Sequence, residues 1–326
     1  MKRKKFTALL TMFSIMAASV SAVCTVQAEE TEVSYYERPE EEMISLDGYS
    51  DNIIYDLKYC GENSTDYQKL HLVLPDNTTE GEKLPLLVFV HGGVWSSMNS
   101  EDHKVGFTAK AALQGLNYGY AVALVDYSIR NADNSTALPN QIYEIKAAIR
   151  YLRSVADEYN LDADKIALIG ESAGGHLVDI VGTTNGEEQY DVKEYGNMDY
   201  SSDVQAVIAQ YSVGKLEDNI IKMLFNLYDV DEDSYTDEDI EKMREEASAI
   251  YHVDENDPPF YLEHGLEDTT VPYTQSGDLY DALMMAGDDE NTELHLYAGM
   301  DHAVSWFHSE ENAKGYMEWL NKIFER

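Results

Sequence analysis

Short apolar runs and longer amphipathic stretches alternate along most of this chain. Residues 53–59 and 69–74 read as two strands around a polar Gly/Asn/Ser turn, the second alternating apolar and polar positions. Leu86-Leu87-Val88-Phe89-Val90 is a continuous apolar run, the mark of a strand buried on both faces of a mainly parallel sheet. Similar runs follow at 120–125, 166–169, 204–209, 259–263 and 293–297. Between them the pattern predicts helices over 101–117, over 139–159, from about His176 onward and over 273–286; a last helix covers 312–324. Strands alternating with helices predict right-handed βαβ units, hence an α/β fold with a mostly parallel, doubly wound sheet.

One region breaks the alternation. Residues 214–255 carry two helical patterns, 216–228 and 237–250, joined by Asp229-Val230-Asp231-Glu232-Asp233-Ser234-Tyr235. The acidic link looks like a calcium loop, but Ser234 stands where an EF-hand needs glycine and Ile240 where it needs glutamate, which excludes that reading. Thr236 followed by Asp239 fits a helix cap instead. The insertion reads as a small cap or lid above the sheet.

The N-terminus follows a different pattern. Met1-Lys2-Arg3-Lys4-Lys5 precedes a mostly apolar stretch from Phe6 to about Val23, and Val26-Gln27-Ala28 offers small residues where a signal peptidase reads. We read residues 1–28 as a secretory signal peptide cleaved after Ala28, which predicts an extracellular protein with no stable membrane insertion. An uncleaved anchor is the alternative, because the apolar run is near spanning length. A lipid anchor on Cys24 is disfavoured by Val23, too large for the position before a lipobox cysteine. Residues 29–45 are acidic and aperiodic and read as a solvated tether, leaving 46–326 as the folded domain.

Charge narrows the partners. The chain carries 61 acidic against 23 Lys and Arg residues, a formal charge of −38. Removing residues 1–28 takes away four basic residues and no acidic ones, leaving −42. Such a surface repels nucleic acid and anionic membranes and disfavours strongly anionic substrates. Cys24 leaves with the signal peptide, so the mature chain keeps only Cys60 and forms no internal disulfide. Cys60, in a strand-like segment, reads as a small buried hydrophobe and not as a nucleophile.

Candidate chemistry centres on Gly170-Glu171-Ser172-Ala173-Gly174-Gly175, between the strand at 166–169 and a helix. In that context Gly-x-Ser-x-Gly is a nucleophile elbow, a sharp turn that holds the serine hydroxyl clear of the backbone. A serine nucleophile needs a base, usually histidine, and the base needs an acid to fix its tautomer. Asp268 lies in a loop just past the strand at 259–263, and His302 just past the strand at 293–297. They follow Ser172 at spacings of 96 and then 34 residues. Glu267 and Asp301 are the competing carboxylates. His91-Gly92-Gly93-Val94-Trp95 follows the strand at 86–90, and the N–H groups of Gly92, Gly93 and Ala173 are expected to form an oxyanion hole. Trp95 and Glu171 are candidates for lining the substrate pocket. His91 and His264 read as polar supports for nearby loops, and His176 as structural.

His-Gly-Gly-Val-Trp, Asp126-Tyr127-Ser128, Gly-Glu-Ser-Ala-Gly-Gly-His and His-Gly-Leu-Glu-Asp-Thr-Thr-Val-Pro, in that order, resemble the α/β-hydrolase esterases, in particular the hormone-sensitive-lipase-like and BD-FAE-type carboxylesterases. The resemblance spans roughly residues 65–310. Val94 replaces a family glycine, and Ser128 stands where the family's Asp-Tyr-Arg-Leu segment has arginine, a contact expected to pass to Arg130. The resemblance implies an α/β-hydrolase catalytic domain using Ser172, His302 and Asp268, without metal or organic cofactor. It also implies a small-molecule or polysaccharide-borne ester substrate, such as acetyl or feruloyl groups on xylan. A general short-chain carboxylesterase, a kynurenine-formamidase-like amide hydrolase and a non-catalytic hydrolase-fold binding protein are the alternatives.

Overall fold

The structure, a computed structural model, describes residues 43–79, 81–95, 103–129, 138–225, 235–287 and 291–326. The expected signal peptide, most of the expected tether, Arg130 and nearly all of the acidic link at 229–235 lie outside these residues.

Among the described residues eight strands form one sheet: β1 (Asn52–Lys58), β2 (Lys69–Leu74), β3 (Leu84–Val90), β4 (Ala121–Val125), β5 (Leu161–Glu171), β6 (Ala206–Gln210), β7 (Phe260–Gly265) and β8 (Glu293–Tyr297). Their order is β1-β2-β4-β3-β5-β6-β7-β8, with β1 and β2 antiparallel and every pair from β4 to β8 parallel. The helices are α1 (Lys110–Leu113), α2 (Asn140–Ser154), α3 (Ala173–Gly182), α4 (Asp218–Leu224), α5 (Asp237–Ala247), α6 (Thr274–Ala286) and α7 (Glu310–Ile323).

The unbroken apolar runs have a direct cause. Leu86, Val88 and Val90 of β3 face one core layer, with Ile166 and Leu168 of β5 and with α2 and α3. Leu87 and Phe89 face the opposite layer, with Ala167 and Ile169, α1 and α7. Each alternate side chain therefore leaves water on its own side of the sheet, at about 1.5–3 kcal/mol for each large aliphatic or Phe residue. The edge strand β1 is largely exposed and carries a bulge between Ile54 and Leu57. Bulges of this kind discourage further strand pairing at an edge.

All eight strands predicted from the pattern are present. The helix expected over 101–117 is not continuous. In the described part it is a string of 3-10 turns around the four-residue α1. Gly106 takes extended backbone (ψ 169°) and interrupts the helical path, while Gly115 packs against Leu87 of β3. The helix expected over 139–159 ends at Ser154. The insertion carries α4 and α5, and Thr236 and Asp239 form a reciprocal capping box at the start of α5. At the N-terminal edge, Met43 and Ile44 pair with Gly106 and Val105, so the end of the expected tether is bonded to the fold. Among the described residues no helix is long and apolar enough to cross a membrane.

At Gly174, in the first turn of α3, a Cβ would overlap the Val90 carbonyl oxygen and lie 2.5 Å from that of His91. Backbone oxygens cannot step aside as flexible side chains do. We therefore expect Gly174→Ala to cost about 3 kcal/mol or more, measured by urea unfolding.

Candidate active site

The site lies at the carboxyl end of the parallel strands, where ligands bind in open α/β sheets. β5 ends at Glu171 and α3 begins at Ala173, so Ser172 alone makes the turn, with φ 53° and ψ −117°. For a side chain bearing Cβ this is strained backbone, of the kind that persists only where its surroundings over-determine it. The Ser172 N–H donates to the Gln210 carbonyl of β6 (3.0 Å), and the Ser172 carbonyl accepts from the His176 N–H (3.0 Å). Its hydroxyl makes no helix-capping bond, which leaves Oγ available to a base.

A candidate base is in place. The Ser172 hydroxyl lies 3.0 Å from His302 Nε2, and His302 Nδ1 lies 2.7 Å from Asp268 Oδ2. With Nδ1–H donating to the carboxylate, Nε2 is the acceptor facing the hydroxyl. Burial alone would raise the Asp268 pKa. Hydrogen bonds from His264 and His302, the His302 charge and the Val271 N–H outweigh it and hold the carboxyl well below its usual range. Asp268 Oδ1 also accepts from the Thr270 and Val271 N–H groups (2.8 and 2.7 Å). His264 is the polar support expected of it: its Nε2 lies 3.3 Å from Asp268 Oδ2 and 3.0 Å from the Val271 carbonyl, and Ser276 occupies its Nδ1. The competing carboxylates serve the loops instead. Asp301 accepts from the N–H groups of Thr269 and His302, and Glu267 from that of Gly299.

The loop His91–Trp95 after β3 requires three corrections. The Gly92 N–H donates to Glu171 Oε1 at 2.7 Å and is not free for an oxyanion. Gly93 and Ala173 remain, with no hydrogen bond to either N–H among the described residues. Glu171, expected at a pocket wall, is buried with its Oε1 taken by the Gly92 N–H, and burial raises its pKa. Trp95 is buried too, and its indole N–H donates to His176 Nδ1 at 3.1 Å. The exposed side chain of this loop is Val94, 42% accessible with φ 57°. An aromatic ring and an acid beside a nucleophile suggest a pocket in sequence, but here both satisfy buried polar atoms.

Further supports were not read from the sequence. The Tyr127 hydroxyl donates to the His91 carbonyl (2.6 Å), and its ring stacks on that of His91. Asp126, buried, lies 3.3 Å from both His91 Nε2 and Lys104 Nζ. Gln141 donates to the carbonyls of Trp95 and Ser128, and Glu144 accepts from the Ser128 N–H and hydroxyl. The segment that departs from the family pattern at Ser128 is thus held by α2. Tyr211, at φ 39°, packs its ring edge-on to His302 (4.7 Å) and bonds His308 through its hydroxyl. Glu263 of β7, pushed up to about 7 by burial, accepts from Gln210 and Asn312. The signal available was a polar residue inside an apolar run, as Glu263 is in Phe-Tyr-Leu-Glu-His-Gly. Cys60 is half-buried against the core, and burial pushes its thiol up to about 12, away from the thiolate form.

The geometry now has a family to set it against. Residues 70–283, about two-thirds of the chain, match the family model described as BD-FAE. The chain belongs to the BD-FAE family of α/β-hydrolase proteins. Esterase LipC of Mycobacterium tuberculosis is 29% identical over 202 residues, covering 61% of this chain and 48% of LipC. The chain spans about half the length of the curated relatives it matches. A truncated carbohydrate esterase from gut microbiota superposes with a TM-score of 0.70 at 23% identity, over 87% of this chain and all of that one. A bifunctional GH43-CE protein of Bacteroides eggerthii superposes with a TM-score of 0.70 at 26% identity, over 84% of this chain and 38% of that one.

Seven residues beyond Ser172, on α3, Asp179 is fully buried with the Ser212 hydroxyl as its polar neighbour, and burial pushes its carboxyl up to about 8. The folded chain then binds a proton that the unfolded chain releases above its ordinary pKa of about 3.8. This contribution to stability is complete below that value and is lost as pH rises towards 8. We expect the melting temperature of Asp179→Asn, relative to the parent, to increase steadily from pH 5 to pH 8 in a fluorimetric melt.

Proposed function

We propose that this protein is a secreted serine esterase that hydrolyses short acyl esters through an acyl-enzyme. One observation carries the reading: a hydrogen-bonded line from Ser172 Oγ through His302 to the buried Asp268. It begins at a strained elbow whose neighbours Gly93 and Ala173 keep unbonded N–H groups. In the proposed cycle Ser172 attacks the ester carbonyl while His302 takes its proton, and Asp268 stabilises the imidazolium that forms. The Ala173 and Gly93 N–H groups receive the developing oxyanion. His302 then protonates the departing alcohol, and water, activated by the same imidazole, releases the acid. No step calls for a metal or organic cofactor.

Family membership and the 29% identity to a named esterase support ester hydrolysis over the amide-hydrolase alternative. A polysaccharide-borne acetyl or feruloyl ester is the substrate class proposed from the BD-FAE relationship. Export rests on the basic, apolar and small-residue pattern of residues 1–28.

Ser172→Ala is expected to lower hydrolysis of p-nitrophenyl acetate by about 10⁴–10⁶-fold without loss of folded protein. The intact enzyme should prefer acetyl to long-chain p-nitrophenyl esters and release acetate or ferulate from substituted xylan. A preference for long acyl chains would overturn the polysaccharide reading and favour a lipase-like pocket. For export, N-terminal sequencing of protein recovered from the culture medium should begin at Glu29; retention of Met1 in the membrane fraction would refute cleavage.

A further inference from the structure

Two neighbouring non-glycine residues of the loop after β3 occupy the left-handed region, Val94 at φ 57° and Trp95 at φ 55°. Each such residue stores strain, and the β-branched Val94 is the more unusual of the two. Something must hold the loop there. Glu171 holds the Gly92 N–H, and Gln141 holds the Trp95 carbonyl. The third tie is a side chain: the Trp95 indole N–H donates to Nδ1 of His176.

His176 is completely buried in the first turns of α3, the helix whose first residue is the proposed oxyanion donor Ala173. Its ring meets that of Trp95 edge-on at 5.3 Å. Its other nitrogen, Nε2, lies 2.7 Å from the carbonyl of Ala247, the last residue of α5 in the cap. One neutral imidazole thus accepts from the oxyanion loop and donates to the cap while anchored on the nucleophile helix. Burial lowers its pKa to about 4, which keeps it in this form at neutral pH. An apolar side chain of similar volume would leave both the indole N–H and the Ala247 carbonyl without this partner.

We propose that His176 is a positioning residue for the oxyanion hole, tying the geometry of Trp95, Val94 and the Gly93 N–H to the seating of the cap on α3. This role rests on the serine-esterase reading. His176 touches no reacting atom and moves no proton in the cycle.

The test compares His176→Leu, His176→Gln, Trp95→Phe and the double variant H176L/W95F in the full-length protein. The assays are kcat and KM on p-nitrophenyl acetate, melting temperature, and titration of Ser172 with a fluorophosphonate to count active sites. His176→Leu and Trp95→Phe are each expected to lower kcat per titrated site about tenfold or more, with KM within about twofold, because the loss falls on the transition state. The double variant should be no worse than the worse single one, since both remove the same tie. Glutamine, which accepts and donates from one amide, should recover kcat to within about threefold of the parent. If His176→Leu does not fold, Trp95→Phe carries the same comparison. A fall in melting temperature with parental kcat per titrated site would overturn the proposal, leaving His176 purely structural. Losses that multiply in the double variant would also overturn it. Failure of the parent protein to hydrolyse the ester or to label at Ser172 would be visible before any variant is made, and would overturn the esterase reading together with this role.

Discussion

The rest of the site depends on how closely α3 starts to the backbone of β3. Gly174 fits against the carbonyls of Val90 and His91, and that contact fixes where the helix begins relative to the central strands. Ser172 must then complete the turn within one residue, at backbone angles that a residue with Cβ seldom adopts. The strain is held by bonds on both sides, from the Ser172 N–H to β6 and from the His176 N–H back to the Ser172 carbonyl. Its result is directional: Oγ is held clear of its own helix and faces His302. A looser packing of α3 would relax the elbow, and the hydroxyl would be free to cap the helix instead.

The loops that bring the other residues to Ser172 are fastened by carboxylates acting on backbone N–H groups. Asp301, in the loop after β8, grips Thr269 in the loop after β7, and Glu267 in the β7 loop grips Gly299 in the β8 loop. The two loops therefore hold each other, and Asp268 and His302 meet at 2.7 Å although 34 residues apart in sequence. The same device recurs where Glu171 holds Gly92 and Glu144 holds Ser128. For Glu171 and Glu144, which are buried, a carboxylate is costly unless its acceptors are filled, and filling them with N–H groups of a neighbouring loop turns that cost into a positional constraint. Ser172, Asp268, His302 and the loop after β3 thus each have a position set by more than one bond.

This explains which parts of the molecule were legible in the sequence. Strand burial on two faces leaves uninterrupted apolar runs, so the central strands could be read from them, whereas the exposed β1 and the alternating β2 were read as a pair around a polar turn. The helix over 101–117 was overestimated because its apolar spacing reports the face turned to the sheet, whereas the 3-10 path is imposed by Gly106 and by contact with β3. The meeting of Ser172, Asp268 and His302 was legible because each stands at a strand end in a motif of fixed order. Gly92, Glu171 and Trp95 were misread because residue type does not say which partner takes a group. Glutamate beside a nucleophile could face substrate or brace a loop, and only the 2.7 Å bond to Gly92 separates the two. Tyr211, Gln141 and Glu144 act through a ring contact and hydrogen bonds to other elements, which no local pattern encodes.

Charge joins the site to the rest of the molecule in a way that spacing does not. On the proposed reaction, a neutral ester enters and a carboxylate leaves. The chain carries −38 overall, so its field opposes the approach of anions but not of neutral esters. The same field favours departure of the acid once it ionises. Screening confines this to about 10 Å from the surface at ordinary ionic strength. On the proposed cycle the sign is reversed locally, because the unbonded Gly93 and Ala173 N–H groups present partial positive charge where the transition state becomes anionic. In that cycle a few oriented dipoles stabilise the bound oxyanion, while the departing acid meets the acidic surface only within the screening distance. On this reading an acidic exterior and an anion-stabilising interior belong to the same catalytic cycle, each acting on a different species.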